Sequence, residues 1–485
     1  MKNLLFNLAF PCFISVCFSS ERQGYPGIRF RVTSKGLQYA DEVGIKVLFK
    51  RLREENLKDI SHSSKNLEYA LSNIKNNRAT ISSSSFTTAP REGLTLRANG
   101  ISLDFSGNLR FKKKIGWFQM KDSVRFSFKA RGINFRLTVR IGVDSDGRPT
   151  VSARVRDCSS SVDSVHVKFS GGYSWLYNLF SSQIDRKVKD ELNKLMCKKA
   201  REAINNEGAK FMATFPVLQN VSSIAQIDYS VVKRPKFTSR FMDLPLKGEF
   251  KAVGNPDSRS PFVPAPLPPL DEVDRMIYIW LTDYLFNTAS FVYHEQGALR
   301  TIIRPSNVPN NKSLSLNTRT FKTFLYQLYN KYPNRPVFVK AYTTKPPVFA
   351  SSRNGTNVTV NGNAEIHVVA KNGAPIYALT IGLRAVLSGA LGVNHGNLTF
   401  HAKSFDIQVH LVKSAIGDIR YNIVMLQMFL DQFIKSAHFV DQLNEYGGRG
   451  FPLPLPPHLS WEDTSLITGE GFILVKTNLR HESRR

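Results

Sequence analysis

Apolar and polar positions follow one arrangement that occurs twice along the chain. Ile28, Phe30 and Val32 alternate with Arg29 and Arg31, the period-two pattern of a half-buried strand. Behind Ser34, Leu37, Ala40, Val43, Val47 and Leu48 recur at helical spacing, which predicts a capped amphipathic helix. The same grammar returns much later. Ile277, Ile279 and Leu281 alternate with Tyr278 and Trp280, Asp283 is a candidate cap, and Leu285, Ala289, Val292 and Gln296 form a stripe. Each copy is followed by a second predicted helix, Ser174–Asn205 and Asn422–Tyr446, with Ser174 and Asn422 as candidate caps. The spacing from Ser34 to Ser174 is 140 residues, and from Asp283 to Asn422 it is 139. Between the copies lies Ser260–Pro269, five of whose ten residues are proline. Such a run can be neither helix nor central strand and reads as a stiff connector. The pattern is a fold-sized repeat with a linker.

Within each half the pattern predicts long antiparallel strands. Val124, Phe126, Phe128 and Ala130 are apolar against Arg125, Ser127, Lys129 and Arg131; beyond Gly132 the parity flips to Ile133, Phe135, Leu137, Val139 and Ile141. One inserted residue at a glycine is what a β-bulge or a sharp bend needs. Strands are also expected at Leu94–Phe105, Ala364–Val369, Ile376–Leu387 and Leu398–Val412, the last with a parity flip between Ala402 and Phe405. Residues 59–95 carry little pattern before Leu94, and Ile81–Ser85 reads as a strand edge or a loop. The helix Ser174–Asn205 has Leu176, Phe180, Ile184, Val188, Leu192 and Leu195 on one side. The helix Asn422–Tyr446 is apolar nearly all round, through Ile423, Leu426, Phe429, Leu430, Phe433 and Ile434. It is therefore expected to be buried on most sides and to end at Gly447 and Gly448. Phe451–Pro457 is a second extended proline run.

At 485 residues the chain can bury two cores of about 200 residues each. Residues 1–20 have the form of a secretory signal, with Lys2 before an apolar run and Cys17-Phe18-Ser19 at its end; an N-terminal core strand is the alternative. No later stretch gives about 18 uninterrupted apolar residues, so the mature chain is expected to be soluble. Two cysteines remain beyond the signal, Cys158 and Cys197. In an oxidising compartment they should pair and pin the long helix to the sheet; two buried free thiols is the other reading. Sequons at Asn220, Asn311, Asn354, Asn357 and Asn397 are glycosylation candidates compatible with secretion. The formal charge is +28 and uneven: residues 21–250 hold 41 Lys/Arg against 22 Asp/Glu, residues 251–485 hold 24 against 16. Such a field favours anionic partners, more strongly in the first half.

Enzymatic constellations are missing from the sequence. It has no G-x-S-x-G elbow, P-loop, H-E-x-x-H or C-x-x-C motif. His395 and His401 flank Asn397 without companions at ligand spacing and read as a solvated loop, and Asp144 with Asp146 reads as turn chemistry. No catalytic residue, metal site or cofactor is expected. The segment Asn108–Lys121 stands out, with Arg110, Lys112, Lys113, Lys114 and Lys121 beside Phe111, Trp117 and Phe118. Clustered cations meet phosphates and adjacent aromatics enter a headgroup interface, while a solvated hairpin tip has the same composition. A base-stacking surface also looks like this, but secretion and the absence of a groove-reading motif argue against nucleic acid.

Tyr25-Pro-Gly-Ile-Arg, Lys35-Gly-Leu-Gln-Tyr-Ala, Asp163-Ser-Val-His-Val, Arg275-Met-Ile-Tyr, Asp283-Tyr-Leu-Phe-Asn-Thr-Ala and Gly450-Phe-Pro-Leu-Pro follow in order along the chain. Together these blocks resemble the family of bactericidal/permeability-increasing and lipopolysaccharide-binding proteins. The resemblance implies an α+β boomerang of two similar barrels, each a twisted antiparallel sheet with two helices, joined by a central sheet and the proline-rich linker. The barrels would span 21–253 and 271–485, with 254–270 as linker. It further implies a pocket for phospholipid acyl chains in each barrel, lined in the first by the helix stripes and the apolar face of Val124–Ile141. The basic tip of the first barrel would contact the lipid A phosphates of lipopolysaccharide, here through Arg110, Lys112, Lys113, Lys114, Trp117 and Lys121. The stretch from Lys58 to Tyr69 is shorter than the family pattern, which puts one basic tip loop in question. A secreted antibacterial protein is the first expectation. An extracellular carrier of phospholipid or sterol ester is the second, and charge reversal at Lys112–Lys114 separates them.

Overall fold

The computed structural model describes residues 24–482 apart from 55–58, 64–66, 116–117, 172–173, 175–177, 179–180, 256–258, 308–314, 395, 437–438 and 453–458. The expected signal segment 1–20, Leu176, Phe180, His395 and most of the second proline run lie outside the described residues.

The first half opens with β1 (Ile28–Thr33) and α1 (Ser34–Glu54). Then come β2 (Ile60–Ser63), β3 (Leu67–Thr80), β4 (Ser83–Ala89), β5 (Gly93–Ile115) and β6 (Phe118–Val143). Shorter strands follow, β7 (Pro149–Ser152), β8 (Cys158–Ser161) and β9 (Ser164–Ser170). Helix α2 (Ser181–Glu202) runs through a π-type turn at Ala203–Gly208 into α3 (Ala209–Ala213). The half closes with β10 (Leu218–Asn220), β11 (Ala225–Asp228), β12 (Lys236–Phe237), β13 (Phe241–Leu246) and β14 (Glu249–Ala252). Beyond the proline-rich connector come β15 (Ile277–Thr282), α4 (Asp283–Glu295), β16 (Arg300–Ile303) and α5 (Tyr326–Lys331). The second large sheet adds β17 (Val337–Thr343), β18 (Val348–Ser352), β19 (Gly355–Val369), β20 (Pro375–Asn394) and β21 (Asn397–Ser414). The chain ends with α6 (Arg420–Ser436), α7 (Phe439–Arg449), β22 (Phe451–Pro452), β23 (Leu459–Gly469) and β24 (Phe472–His481).

These strands form mainly antiparallel sheets in an α+β arrangement. An eight-stranded sheet, β2-β3-β5-β6-β7 with β4, β8 and β9 alongside, belongs to the first half. A seven-stranded sheet, β16-β17-β19-β20-β21-β22 with β18 alongside, belongs to the second. A third sheet, ordered β12-β13-β1-β15-β24-β23, draws strands from both halves, and β1 pairs with β13 on one side and β15 on the other. Each region has its own apolar core. Ala130, Ile133, Val162 and Val165 pack against Leu192 and Met196 of α2 in the first half. Leu325, Leu328, Val337, Val368, Leu379 and Leu426 fill the second. Ile28, Leu246, Leu281 and Ile473 hold the shared sheet. Among the described residues no helix is long and apolar enough to cross a membrane.

The bend expected at Gly132 is present. The β5–β6 register shifts there, with Ile101 opposite Ile133 and Leu103 opposite Ala130, and Gly132 has φ +62°. A Cβ on Gly132 would lie 1.9 Å from Asp163 Oδ2, so the position excludes side chains both by conformation and by space. The flip expected between Ala402 and Phe405 is a second bulge: Ser404 faces Ser388, Ala402 faces Gly389, and Lys403 is extra. Cys158 on β8 and Cys197 on α2 are disulfide-bonded, their Cα atoms 5.7 Å apart.

Several expectations need correction. Thr33, rather than Ser34, accepts the N–H of Gly36 at the start of α1, while the Ser34 hydroxyl turns to the Arg240 carbonyl. Thr282 holds the corresponding place before α4, and Asp283 accepts from Ser351 N at 2.8 Å instead of capping. Asn422 lies inside α6, bonded to Gln327. Ser174 is already helical. Ala40, placed on the apolar stripe of α1, is exposed. The span of the predicted helix Asn422–Tyr446 is helical on both sides of residues 437–438, as α6 and α7, and the end differs: Gly447 and Gly448 lie within α7, and Gly450, at φ +66°, ends it. Its first part is far from buried all round, because Tyr421, Val424, Met425 and Met428 are exposed. Residues 67–80, patternless in sequence, form the fourteen-residue strand β3. Its alternation is broken by register shifts around Asn73 and Asn77. The hairpin β23–β24 was not anticipated. Arg31, one of the polar positions of the half-buried strand expected here, is 2% exposed. Both faces of β1 are covered, one by the core and one by the connector.

Candidate functional site

The distal ends of β5 and β6 form the hairpin that carries the cationic segment. Its register sets Arg110 opposite Ser123, Lys112 opposite Lys121 and Lys114 opposite Gln119. On the other side of β5, Ala70 faces Arg110 and Glu68 faces Lys112. β2 adds Ser61 beside Ala70 and Ser63 beside Glu68. Directly opposed residues share a face of the sheet, so Ser61, Ser63, Glu68, Arg110, Lys112 and Lys121 stand together. The opposite face holds Val124, 2% exposed, and turns to the core. The polar face lines an open cavity of about 650 Å³, whose lining also includes Phe111 and Asp122.

Charge on this face is unbalanced. Lys112 and Lys121 are cross-strand neighbours of like sign, a pairing that destabilises a sheet unless an anion or a carboxylate intervenes. Glu68 supplies one carboxylate, with Oε2 3.4 Å from Lys112 Nζ, but both side chains are about half exposed and the pair is weak. Lys114, Lys121 and Arg125 are exposed on the same face. Farther along β6, Lys129 is exposed, and Arg131 donates to Asp104. That bond holds the Asp104 carboxyl below the usual carboxylate range.

The sequence-predicted site residues divide. Arg110, Lys112, Lys114 and Lys121 are brought together on one face. Lys113 occupies the alternate register position, opposite Met120, and Trp117 lies outside the described residues. Ser61, Ser63 and Glu68 escaped the sequence reading, since their strands have no clear alternation; only the β3–β5 pairing brings them to the cations. Of the glycosylation candidates, Asn220, Asn354 and Asn357 are exposed, Asn397 is half-buried in its strand, and Asn311 lies outside the described residues.

A family model described as the LBP / BPI / CETP family, N-terminal domain, matches residues 36–206, and the C-terminal domain model of the same family matches residues 219–481. The chain belongs to the LBP/BPI/CETP family. Family members are secreted lipid-binding proteins without enzymatic activity. Lipopolysaccharide-binding protein from Mus musculus is 28% identical over 464 residues, covering 94% of each chain. Bactericidal permeability-increasing protein from Sebastes schlegelii is 28% identical over 463 residues, covering 94% of this chain and 95% of that one. The crystal structure of a lipopolysaccharide binding protein superposes with a TM-score of 0.56 at 25% identity, covering 95% of this chain and all of that one. Both LBP/BPI/CETP domains are thus present in order, and the cationic hairpin falls within the N-terminal one.

Proposed function

We propose that this chain is a secreted antibacterial protein of innate defence that binds the lipid A phosphates of lipopolysaccharide and anionic bacterial membranes through the β5–β6 tip. The observation that carries the reading is the shared face of Arg110, Lys112, Lys114 and Lys121, where Lys112 and Lys121 oppose each other and the half-exposed Glu68 reaches Lys112 from the neighbouring strand. A bound phosphate relieves that repulsion. Each cation near an anionic surface contributes about 1 kcal/mol, so four of them set an affinity difference on the order of a thousandfold. The names of the relatives, which bind lipopolysaccharide or increase bacterial permeability, support the same reading. The two halves would be similar barrels in a boomerang, 21–253 and 271–485, each holding phospholipid acyl chains in an apolar pocket. Among the described residues, Asn220, Asn354 and Asn357 are the exposed candidates for glycosylation.

The test is binding of the purified protein to lipid A-containing and to neutral phosphatidylcholine vesicles, at low and at physiological salt. Preference for lipid A that weakens with salt is expected, because screening shortens from about 30 Å at 0.01 M to about 8 Å at 0.15 M. Lys112→Glu with Lys114→Glu should lower lipid A binding at least tenfold. Salt-independent binding, or variants that bind normally, would remove the tip from the mechanism. An extracellular lipid carrier is the alternative: its transfer of phospholipid or sterol ester would survive the double charge reversal. Lipid occupancy is checked separately, by mass spectrometry of an organic extract of the secreted protein. Co-purifying phospholipid is expected, and a lipid-free extract would count against the pockets.

A further inference from the structure

Helix α6 presents solvent with an apolar stripe of its own. Tyr421 is 91% exposed, Val424 64%, Met425 47% and Met428 66%, and their spacing of three, one and three residues puts them on one face over two turns. The opposite face serves the core through Leu426, which is buried, and through Ile423, Phe429 and Leu430. The outer side chains therefore owe nothing to folding: packing already has its own stripe. Nearby, Gln327 of α5 donates to Asn422 and to the carbonyl of Asp418, both at 3.1 Å. That contact seats α5 against the start of α6 and brings a fifth exposed apolar residue, Tyr326, to this end of the molecule.

We propose that this face of α6 and α5 is a second lipid-contacting surface, in the C-terminal half, that enters the boundary between headgroups and acyl chains of an anionic bilayer. The surrounding charge fits that occupant. Lys322 and Lys331 are exposed at the two ends of α5's approach, Nζ of Lys322 over the Tyr329 ring and Nζ of Lys331 on the Ala415 carbonyl. Arg420 opens α6 and neutralises Asp418, the nearest carboxylate in sequence, through three contacts of 2.6–3.1 Å. The far limit of the stripe is Asp431, held by Gln427 at 2.8 Å. Amphipathic tyrosine and pliant methionine suit a lipid interface, with cations at the phosphate level. Size speaks against a second copy of the chain as occupant. Residues 421–428 cover about 10 Å of helix axis and the helix is about 10 Å wide, far below the roughly 800 Å² per partner of a stable dimer.

The inference is independent of the reading of the β5–β6 tip and is tested without lipopolysaccharide. The full chain is labelled with an environment-sensitive fluorophore at Met428→Cys and mixed with phosphatidylglycerol/phosphatidylcholine vesicles. A blue shift in emission is expected with these vesicles and not with phosphatidylcholine alone. In the Lys112→Glu/Lys114→Glu background, residual vesicle binding should persist and fall at least tenfold when Met425→Glu and Met428→Glu are added. Because these two side chains are exposed, the thermal midpoint of that variant should be unchanged. An unshifted emission, or equal binding with and without the glutamates, would overturn the proposal. So would sedimentation showing a concentration-dependent dimer that the glutamates abolish, since the face would then belong to a protein contact.

Discussion

Arg31 carries its charge into the middle of the molecule and meets three kinds of partner there. Its Nε and Nη2 donate to the two carboxylate oxygens of Asp243 at 2.6 and 2.9 Å, and Nη1 donates to the Leu270 carbonyl at 2.6 Å. Its guanidinium also lies 3.5 Å from the centroid of the Phe241 ring. Removing one member of a buried pair strands the other, so Arg31→Ala should cost about 3–5 kcal/mol, read as a fall in the urea midpoint. Replacing both, Arg31→Met with Asp243→Leu, should recover most of that loss; if the double variant is as unstable as the single, the charge pair is not the cause. Asp228 shows the opposite face of burial. Desolvation alone would raise its pKa, but the Ser230 hydroxyl and N–H, with Lys247 and Lys251 at 3.2 Å, outweigh it and hold the carboxyl below its ordinary value. An unfolded aspartate titrates near about 3.9, so the ionised form stabilises the fold above that pH and the contribution is lost as pH falls through the lower folded value. Stability should therefore decline below about pH 4, and Asp228→Asn should be less stable at neutral pH with a shallower acid decline. An unchanged acid slope would assign the effect to other carboxylates.

At the scale of elements, the bend in β6 and the cross-link between β8 and α2 are the two points where a single change has a defined cost. Gly132→Ala forces a β-carbon into a left-handed backbone and against Asp163, and should lose about 2 kcal/mol or more. Breaking Cys158–Cys197 by serine substitution opens a loop of 39 residues' separation and should cost roughly 3–4 kcal/mol. Thermal midpoints of the two variants check both. These features were legible because each leaves a local mark: a parity flip at a glycine, or a lone pair of cysteines. The first strand and helix of each half were legible for the same reason. β3 was not, because bulges at its asparagines interrupt the alternation that identifies a strand. The helix stripes were half legible. Apolar spacing located α6, but nothing local distinguishes an apolar residue that packs inward from one that faces out, and the tip's partners Ser61, Ser63 and Glu68 depend on pairing between distant strands.

On the scale of the whole molecule, the shared sheet decides how the halves behave. Tyr278 and Trp280 of β15 are buried, with Leu267 and Leu270 of the connector packed against them, and β1 zips to β15 along Ile28–Val32. Neither half completes this sheet alone, so calorimetry should give one cooperative transition for the intact chain, and separately expressed halves should be less stable and prone to associate through the opened edge. Two well-resolved transitions in the intact chain would show the sheet to be a weak joint. Strand order in that sheet was beyond the reach of the sequence, since the pairings of β1 with β13 and with β15 link residues more than 200 positions apart. The same interleaving separates covalent continuity from mechanical continuity. Arg259 is exposed at the start of the connector, within reach of trypsin. A cut there severs the chain yet leaves six strands clasped edge to edge, so the nicked protein should migrate as one species on a native gel and part into two fragments only in denaturant. The halves are fastened by the weave, and the tether between them is dispensable once folding is done.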